Sequence, residues 1–185
     1  MTNHVAVAIP GDLDTPTGGY AYDRRVIDEL GALGWNVTHI ALGSSFPEPS
    51  AEDMSEAAQL LYSVPRDTPL VIDGLALGAL EPALVAEISA PVIALIHHPL
   101  AHEGGLDDTR REYLHATERA NLAMSAAVVV TSPHTAMLLQ TDYGVPESAI
   151  TVAEPGTDRP TDARMPSSPP LILSVGSQIR RKGHD

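Results

Sequence analysis

Two adjacent glycines, Gly18 and Gly19, follow the first apolar run of the chain where a helical pattern begins. Backbone without side chains lets an anion approach the first amides of a helix, and the helix dipole favours negative charge there. The pair suits phosphate contact, and it equally suits a tight strand-to-helix turn. The loop lacks G-x-G-x-x-G, so it is not a standard dinucleotide fingerprint. A second pair, His97 and His98, ends the most apolar stretch of the chain, residues 91–96. Imidazole at the carboxyl end of a buried strand can donate to a hydroxyl or a phosphate in the ligand crevice, or bond to a neighbouring loop. Side chains alternate along a strand, so the two rings point to opposite faces and one of them is expected in the site. His98, His102 and Glu103 are ligand types for a metal. Pro99 and Gly104-Gly105 make their segment a loop rather than a helical H-E-x-x-H, and no metal is expected. Arg180, Arg181 and Lys182 cluster after a strand and a glycine, where cations suit a diphosphate or form a solvated basic tail. No G-x-S-x-G elbow and no G-x-x-x-x-G-K-[ST] loop occurs, which disfavours the common serine hydrolases and the P-loop enzymes.

These residues need elements to hold them. Short apolar runs at 4–9, 37–42, 70–72, 91–96, 127–131 and 150–152 read as strands. Between them lie helical patterns. The first starts at Gly18 under a Thr17 cap, carries Tyr22, Val26, Ile27, Leu30 and Leu33 at helical spacing, and stops at Gly34. Ser50 followed by Asp53 resembles a capping box for a helix to about Tyr62. Residues 79–88 and 107–124 read as helical, and Pro133 opens a further helix after Ser132 that ends near Gly144. Strands that are apolar throughout and alternate with helices predict an α/β fold, a Rossmann-like parallel β-sheet flanked by helices. Ligands of such sheets sit beyond the carboxyl ends of the strands. The loops to watch are therefore 10–19, Asp73-Gly74, 97–105 and 131–134.

Composition narrows the class. The chain has 185 residues, 43% of them hydrophobic, which predicts a globular domain with an aliphatic core. Its formal charge of −13 repels phosphate backbones, so no nucleic-acid partner is expected. Peripheral membrane contact through a hydrophobic patch stays open. Cysteine is absent, which excludes disulfides and thiolate metal sites. No basic leader and no apolar stretch of about 20 residues is present, and the expected location is the cytoplasm. Pro160, Pro166, Pro169 and Pro170 mark a linker, after which Leu171 to Val175 reads as a fresh strand. The expected division is a domain over 1–158, a linker over 159–170, and the first strand and loop of a further domain over 171–185.

Taken in order, Thr17-Gly18-Gly19-Tyr20, Arg24-Arg25-Val26-Ile27-Asp28-Glu29-Leu30, His97-His98-Pro99-Leu100, Val128-Val129-Val130-Thr131-Ser132, Gly144-Val145-Pro146 and Pro155-Gly156-Thr157-Asp158 resemble retaining glycosyltransferases of family 4 with the GT-B fold. The stretch from Val175 to Asp185 is similar to that family's entry into its second domain. The resemblance spans essentially the whole chain. It implies an amino-terminal, acceptor-side domain, cut where the donor-binding domain begins and inactive alone. It implies a nucleotide-sugar donor as substrate, a sugar or lipid-linked acceptor, and no cofactor. It places Gly18, Gly19 and Lys182 at the donor diphosphate, with Arg181 a candidate beside them because Ser177 stands where family members often carry arginine. His97 best matches the histidine beside the reacting sugar. His98, Glu103, Ser132 and Asp73 are the candidate acceptor contacts. In the family the departing phosphate is thought to take the acceptor proton, and that scheme requires no divalent metal.

Two other readings compete. One is a free-standing, flavodoxin-like module that binds a small molecule or nucleotide, with Leu171 to Val175 completing the first sheet. The other is a different enzyme, such as a hydrolase, built on Asp73, His97 and Glu103. The proline-rich linker disfavours the first alternative and the order of the motifs disfavours the second.

Overall fold

A computed structural model of the chain describes residues 3–159, Pro169 and Leu171. The element order is β1 His4–Pro10, α1 Gly18–Ala32, β2 Asn36–Leu42, α2 Ala51–Tyr62, β3 Leu70–Asp73, α3 Gly74–Leu77, α4 Pro82–Ala86, β4 Val92–Ile96, α5 Asp108–Met124, β5 Ala127–Val130, α6 Pro133–Tyr143 and β6 Ile150–Val152. Short 3-10 turns at Leu100–His102 and Glu147–Ala149 complete it. The strands form one sheet in the order β2-β1-β3-β4-β5-β6. Every pairing in it is parallel. The expected Rossmann-like α/β fold is therefore observed.

The two faces of β1 show how the sheet is covered. Val5, Val7 and Ile9 pack with Tyr20, Ile27 and Leu30 of α1 and with Val71 of β3. Ala6 and Ala8 join the larger core on the other face, which includes Ala57 and Leu61 of α2, Leu114 and Leu122 of α5, and Ala136 and Leu139 of α6. The chain leaves β1 through α1 toward β2, whereas it leaves β3 toward β4 on the opposite side. The strand order thus reverses between β1 and β3, and in open α/β sheets the crevice outside the carboxyl ends at such a reversal is where ligands sit.

Local chemistry sets the boundaries. Thr17, Ser50, Asp107 and Ser132 each cap a helix through a side-chain oxygen. Gly34 and Gly144 stop the preceding helices with φ of +85° and +74°, a region that side chains oppose. The capping box is only half made. Ser50 accepts from Asp53 N at 3.0 Å, but the Asp53 carboxylate turns to Ser45 N and Oγ instead of back to Ser50. The helix expected over 79–88 is shortened to Pro82–Ala86, and a separate turn of helix, Gly74–Leu77, precedes it. Pro82 explains the break, because proline has no N–H and pushes the residue before it out of the α region. Leu33, expected on the buried stripe of α1, is 76% exposed, because the helix has already ended at Ala32.

The sheet and its helices fall in one compact unit, Met1–Glu154, and Pro155–Asp185 form a second. Residues 172–175 of the expected strand and nearly all of the expected linker lie outside the described residues. Among the described residues no helix is long and apolar enough to cross a membrane.

Candidate functional site

The turn from β1 to α1 is tied down by its own side chains. Tyr20 donates its hydroxyl to Pro10 O at 2.8 Å, and the Arg24 guanidinium donates to Leu13 O. Thr17 accepts from Tyr20 N at 3.3 Å, fixing where α1 begins. The first amides of the helix, at Gly18 and Gly19, precede the point where intrahelical bonding starts. A Cβ added at Gly18 would meet nothing within 4 Å, whereas one at Gly19 would lie 3.8 Å from His97 Cδ2 and 3.9 Å from its Nε2. The helix start is therefore open at Gly18 and rests against an imidazole at Gly19.

That imidazole is held from several sides. His97 directly follows β4, with the alternation of Ile93 and Leu95, and turns toward α1. Its Nε2 donates to Asp23 Oδ1 at 2.9 Å and lies 3.6 Å from Asp73 Oδ2. The Tyr22 ring meets it edge-on at 5.3 Å between centroids. Its carbonyl accepts from Thr135 Oγ1 at 3.3 Å and from Thr131 Oγ1 at 3.5 Å. Asp73 closes β3 and caps α3, its Oδ1 accepting from Leu75 N at 2.9 Å. Both carboxylates are buried, Asp23 at 1% and Asp73 at 2% exposure, while the His97 side chain is 26% exposed. The ring is thus the part of the cluster that solvent and ligands reach.

The electrostatics follow from that burial. Desolvation pushes the Asp73 carboxyl up to about 6, with the Asp23 charge adding to the rise and His97 and the Leu75 and Gly74 amides opposing it. For His97, burial pulls the pKa down, but the Asp23 hydrogen bond and the Asp23 and Asp73 charges outweigh it and leave it above the ordinary value. Two buried carboxylates so close together cannot both stay charged cheaply, and an imidazolium between them relieves the repulsion. Tyr20 and Tyr22 are raised by their own burial and then by the nearby aspartates. With Nε2 engaged on Asp23, the Nδ1 edge is the one that can face a ligand, as a donor when the ring is protonated and as an acceptor when it is neutral.

The other expected site residues are distributed differently. His98 turns away from this cluster. Its Nε2 reaches His102 O at 3.3 Å and its ring meets the His102 ring edge-on. Glu103 lines a separate cleft of about 480 Å³ with Ala101, His102, Arg111, Glu112 and His115. Ser132 caps α6 and bonds to Thr135, the residue that holds the His97 carbonyl, so it touches the site through one intermediary. The structure gathers Gly19, Asp73 and His97 in one place, with Gly18 beside them and Ser132 behind, and places His98 and Glu103 elsewhere. Arg181 and Lys182 lie outside the described residues.

Two residues of this region escaped the sequence reading. Asp23 sits on the inward face of α1 in step with Gly19, Ile27 and Leu30, and a carboxylate at that spacing on an apolar stripe was the available signal. Glu118 of α5 accepts from Leu100 N at 2.5 Å, Ala101 N at 3.1 Å and the Tyr143 hydroxyl at 2.9 Å. It clamps the loop that follows His97 onto α5. Burial raises its pKa, against the pull of those three donors.

No protein-family model matches this sequence, and the search of curated proteins finds no match either.

Proposed function

We propose that this chain supplies the acceptor-side half of a nucleotide-sugar glycosyltransferase, with the transferred sugar passing beside His97. One observation carries the reading. The glycine-paired start of α1 rests against the His97 ring, at the carboxyl edge of a parallel sheet where its strand order reverses. Such a place offers amides to a leaving diphosphate and an imidazole to a sugar hydroxyl within one small volume.

The chemistry assigned to the chain is positional and electrostatic. Glycosyl transfer breaks a sugar–phosphate bond through an oxocarbenium-like state, and charge accumulates on the departing phosphate. The open amides of Gly18 and Gly19 and the positive end of α1 favour that charge. Protonated His97 keeps Nε2–H on Asp23 and offers Nδ1–H to the sugar. Asp23 and Tyr22 fix the ring and the two threonines hold its backbone carbonyl, so little reorganisation accompanies the reaction. Lys182 and Arg181 are assigned to the same diphosphate on the sequence resemblance alone.

The test is an assay of the native gene product with a panel of UDP-, GDP- and ADP-sugars, following release of the nucleotide and transfer of the sugar. Donor-dependent transfer that collapses in His97→Ala supports the reading. A gene product that neither binds nor turns over any donor would instead favour a small-molecule binding module, since the order β2-β1-β3-β4-β5 is also that of flavodoxin-like binding folds.

A further inference from the structure

We infer that Asp23, Asp73 and His97 form a binding site for a single first-row divalent cation at the carboxyl edge of the sheet. One ligand atom from each residue can be chosen so that all three lie within 4.8 Å of one another. Nε2 of His97 is 2.9 Å from Asp23 Oδ1 and 3.6 Å from Asp73 Oδ2. Around a four-coordinate ion with bonds of about 2.1 Å, neighbouring donors stand about 3.4 Å apart. The two measured distances fall on either side of that spacing, so small side-chain adjustments suffice to enclose an ion.

A second observation points to a ligand. Asp23 is 1% exposed and its Oδ2 has no hydrogen-bond partner. A buried carboxylate oxygen left without a donor is costly, and Oδ1 of the same group already faces His97. Asp73 shows the complementary arrangement. Its Oδ1 is committed to Leu75 N, which orients the carboxylate with Oδ2 toward the cluster. Two carboxylates and a neutral imidazole carry two negative charges in a buried setting, which a divalent ion balances. One nitrogen and two oxygens suit Zn²⁺, Co²⁺ or Mn²⁺ rather than a soft monovalent ion. The partial exposure of His97 gives the ion a way in and leaves its remaining positions facing the crevice.

This inference does not rest on the glycosyltransferase reading, whose scheme needs no metal. The ion would take the Nε2 lone pair that holds a proton toward Asp23 in that scheme, so the two states of His97 exclude one another. Metal binding has its own readout. The full chain is stripped with EDTA, exchanged into metal-free buffer and titrated with Co²⁺, whose visible absorption reports its ligands. Zn²⁺ then competes for the same site. The expected result is one equivalent of Co²⁺ with visible bands that Zn²⁺ abolishes. Affinity should fall by about tenfold or more in His97→Ala and in Asp23→Asn, a loss at least as large as that for outer-shell residues of metal sites. His102→Ala, in a separate histidine-containing cleft, should bind as the parent does. Far-UV circular dichroism checks folding, and the isosteric Asp23→Asn carries the test if His97→Ala misfolds. Absence of saturable Co²⁺ and Zn²⁺ binding overturns the inference, as does binding that survives both site variants or is lost only in His102→Ala.

Discussion

Asp73→Asn isolates the electrostatic cost of placing a second carboxylate beside Asp23, and its effect should depend on pH in a calculable way. The Asp73 carboxyl moves from the ordinary 3.8 to about 6 in the folded chain. The folded state therefore holds the proton more tightly than the unfolded state. The contribution to stability is intact below 3.8, where the group is neutral in both states, and is lost as pH rises through about 6. A shift of roughly two units corresponds to about 3 kcal/mol, of which about half has developed by pH 5. Asp73 is 2% exposed, so solvent does little to screen it. Asparagine has nearly the same shape, can accept the Leu75 amide as a helix cap, and does not titrate. Relative to Asp73→Asn, the parent chain should lose roughly 1–2 kcal/mol of stability between pH 5 and pH 7.5. His97 acts with the same sign. Its pKa is raised, in part by Asp73, so the stability it contributes is present below the ordinary histidine value and lost as pH rises through the folded one. The assay is urea unfolding followed by circular dichroism on both proteins, in EDTA, across that pH range. A stability difference that stays constant with pH, or that moves toward the parent as pH rises, would refute the reasoning.

Further outcomes follow from contacts at three positions, Glu118, Gly43 and Gly19. Glu118→Ala strands the Leu100 and Ala101 amides and the Tyr143 hydroxyl, and at about 1–3 kcal/mol for each unsatisfied group it should destabilise the chain by at least about 3 kcal/mol in urea unfolding. Glu118→Gln keeps one accepting oxygen and should lose less. Gly43→Ala would set a Cβ 2.1 Å from Asp53 Cγ, displacing the carboxylate that holds Ser45, and should lower stability by about 1–2 kcal/mol by the same measurement. Gly19→Ala makes only ordinary contact with His97 and should leave the melting temperature equal or higher, since alanine favours helix by about 0.5–1 kcal/mol. If the chain serves the proposed sugar transfer, Gly19→Leu should reduce turnover of the nucleotide-sugar panel far more than it lowers the melting temperature.

Much of the framework was legible because it depends on short-range signals. Apolar runs too short for helices and bounded by turns gave the six strands, and Ser132-Pro133, Gly34 and Gly144 marked helix ends through conformations that few other residues supply as readily. Alternation along β4 also separated His97 from His98 correctly in direction. What failed depends on particular neighbours. Residues 79–88 are apolar enough to read as one helix, yet Pro82, with no N–H to give, opens a new one. Asp53 carries the right spacing for a capping box, yet Ser45 captures its carboxylate, and only the fold brings Ser45 close. Asp23 and Glu118 were passed over because charged residues on amphipathic helices are usually solvated. Their partners, His97 for Asp23 and Leu100, Ala101 and Tyr143 for Glu118, come from distant parts of the chain. The chemistry of the site is thus legible one residue at a time, and its assembly is not.

The most direct test of the proposed function compares His97→Ala with His98→Ala in the native gene product, measuring kcat for sugar transfer from a panel of UDP-, GDP- and ADP-sugars. A loss of about a hundredfold or more is expected for His97→Ala, comparable to removing one preorganised donor from a site of developing charge. A change of less than about tenfold is expected for His98→Ala, whose ring lies against His102. Equal effects of the two substitutions, or an unimpaired His97→Ala enzyme, would contradict the placement of the reacting sugar beside His97.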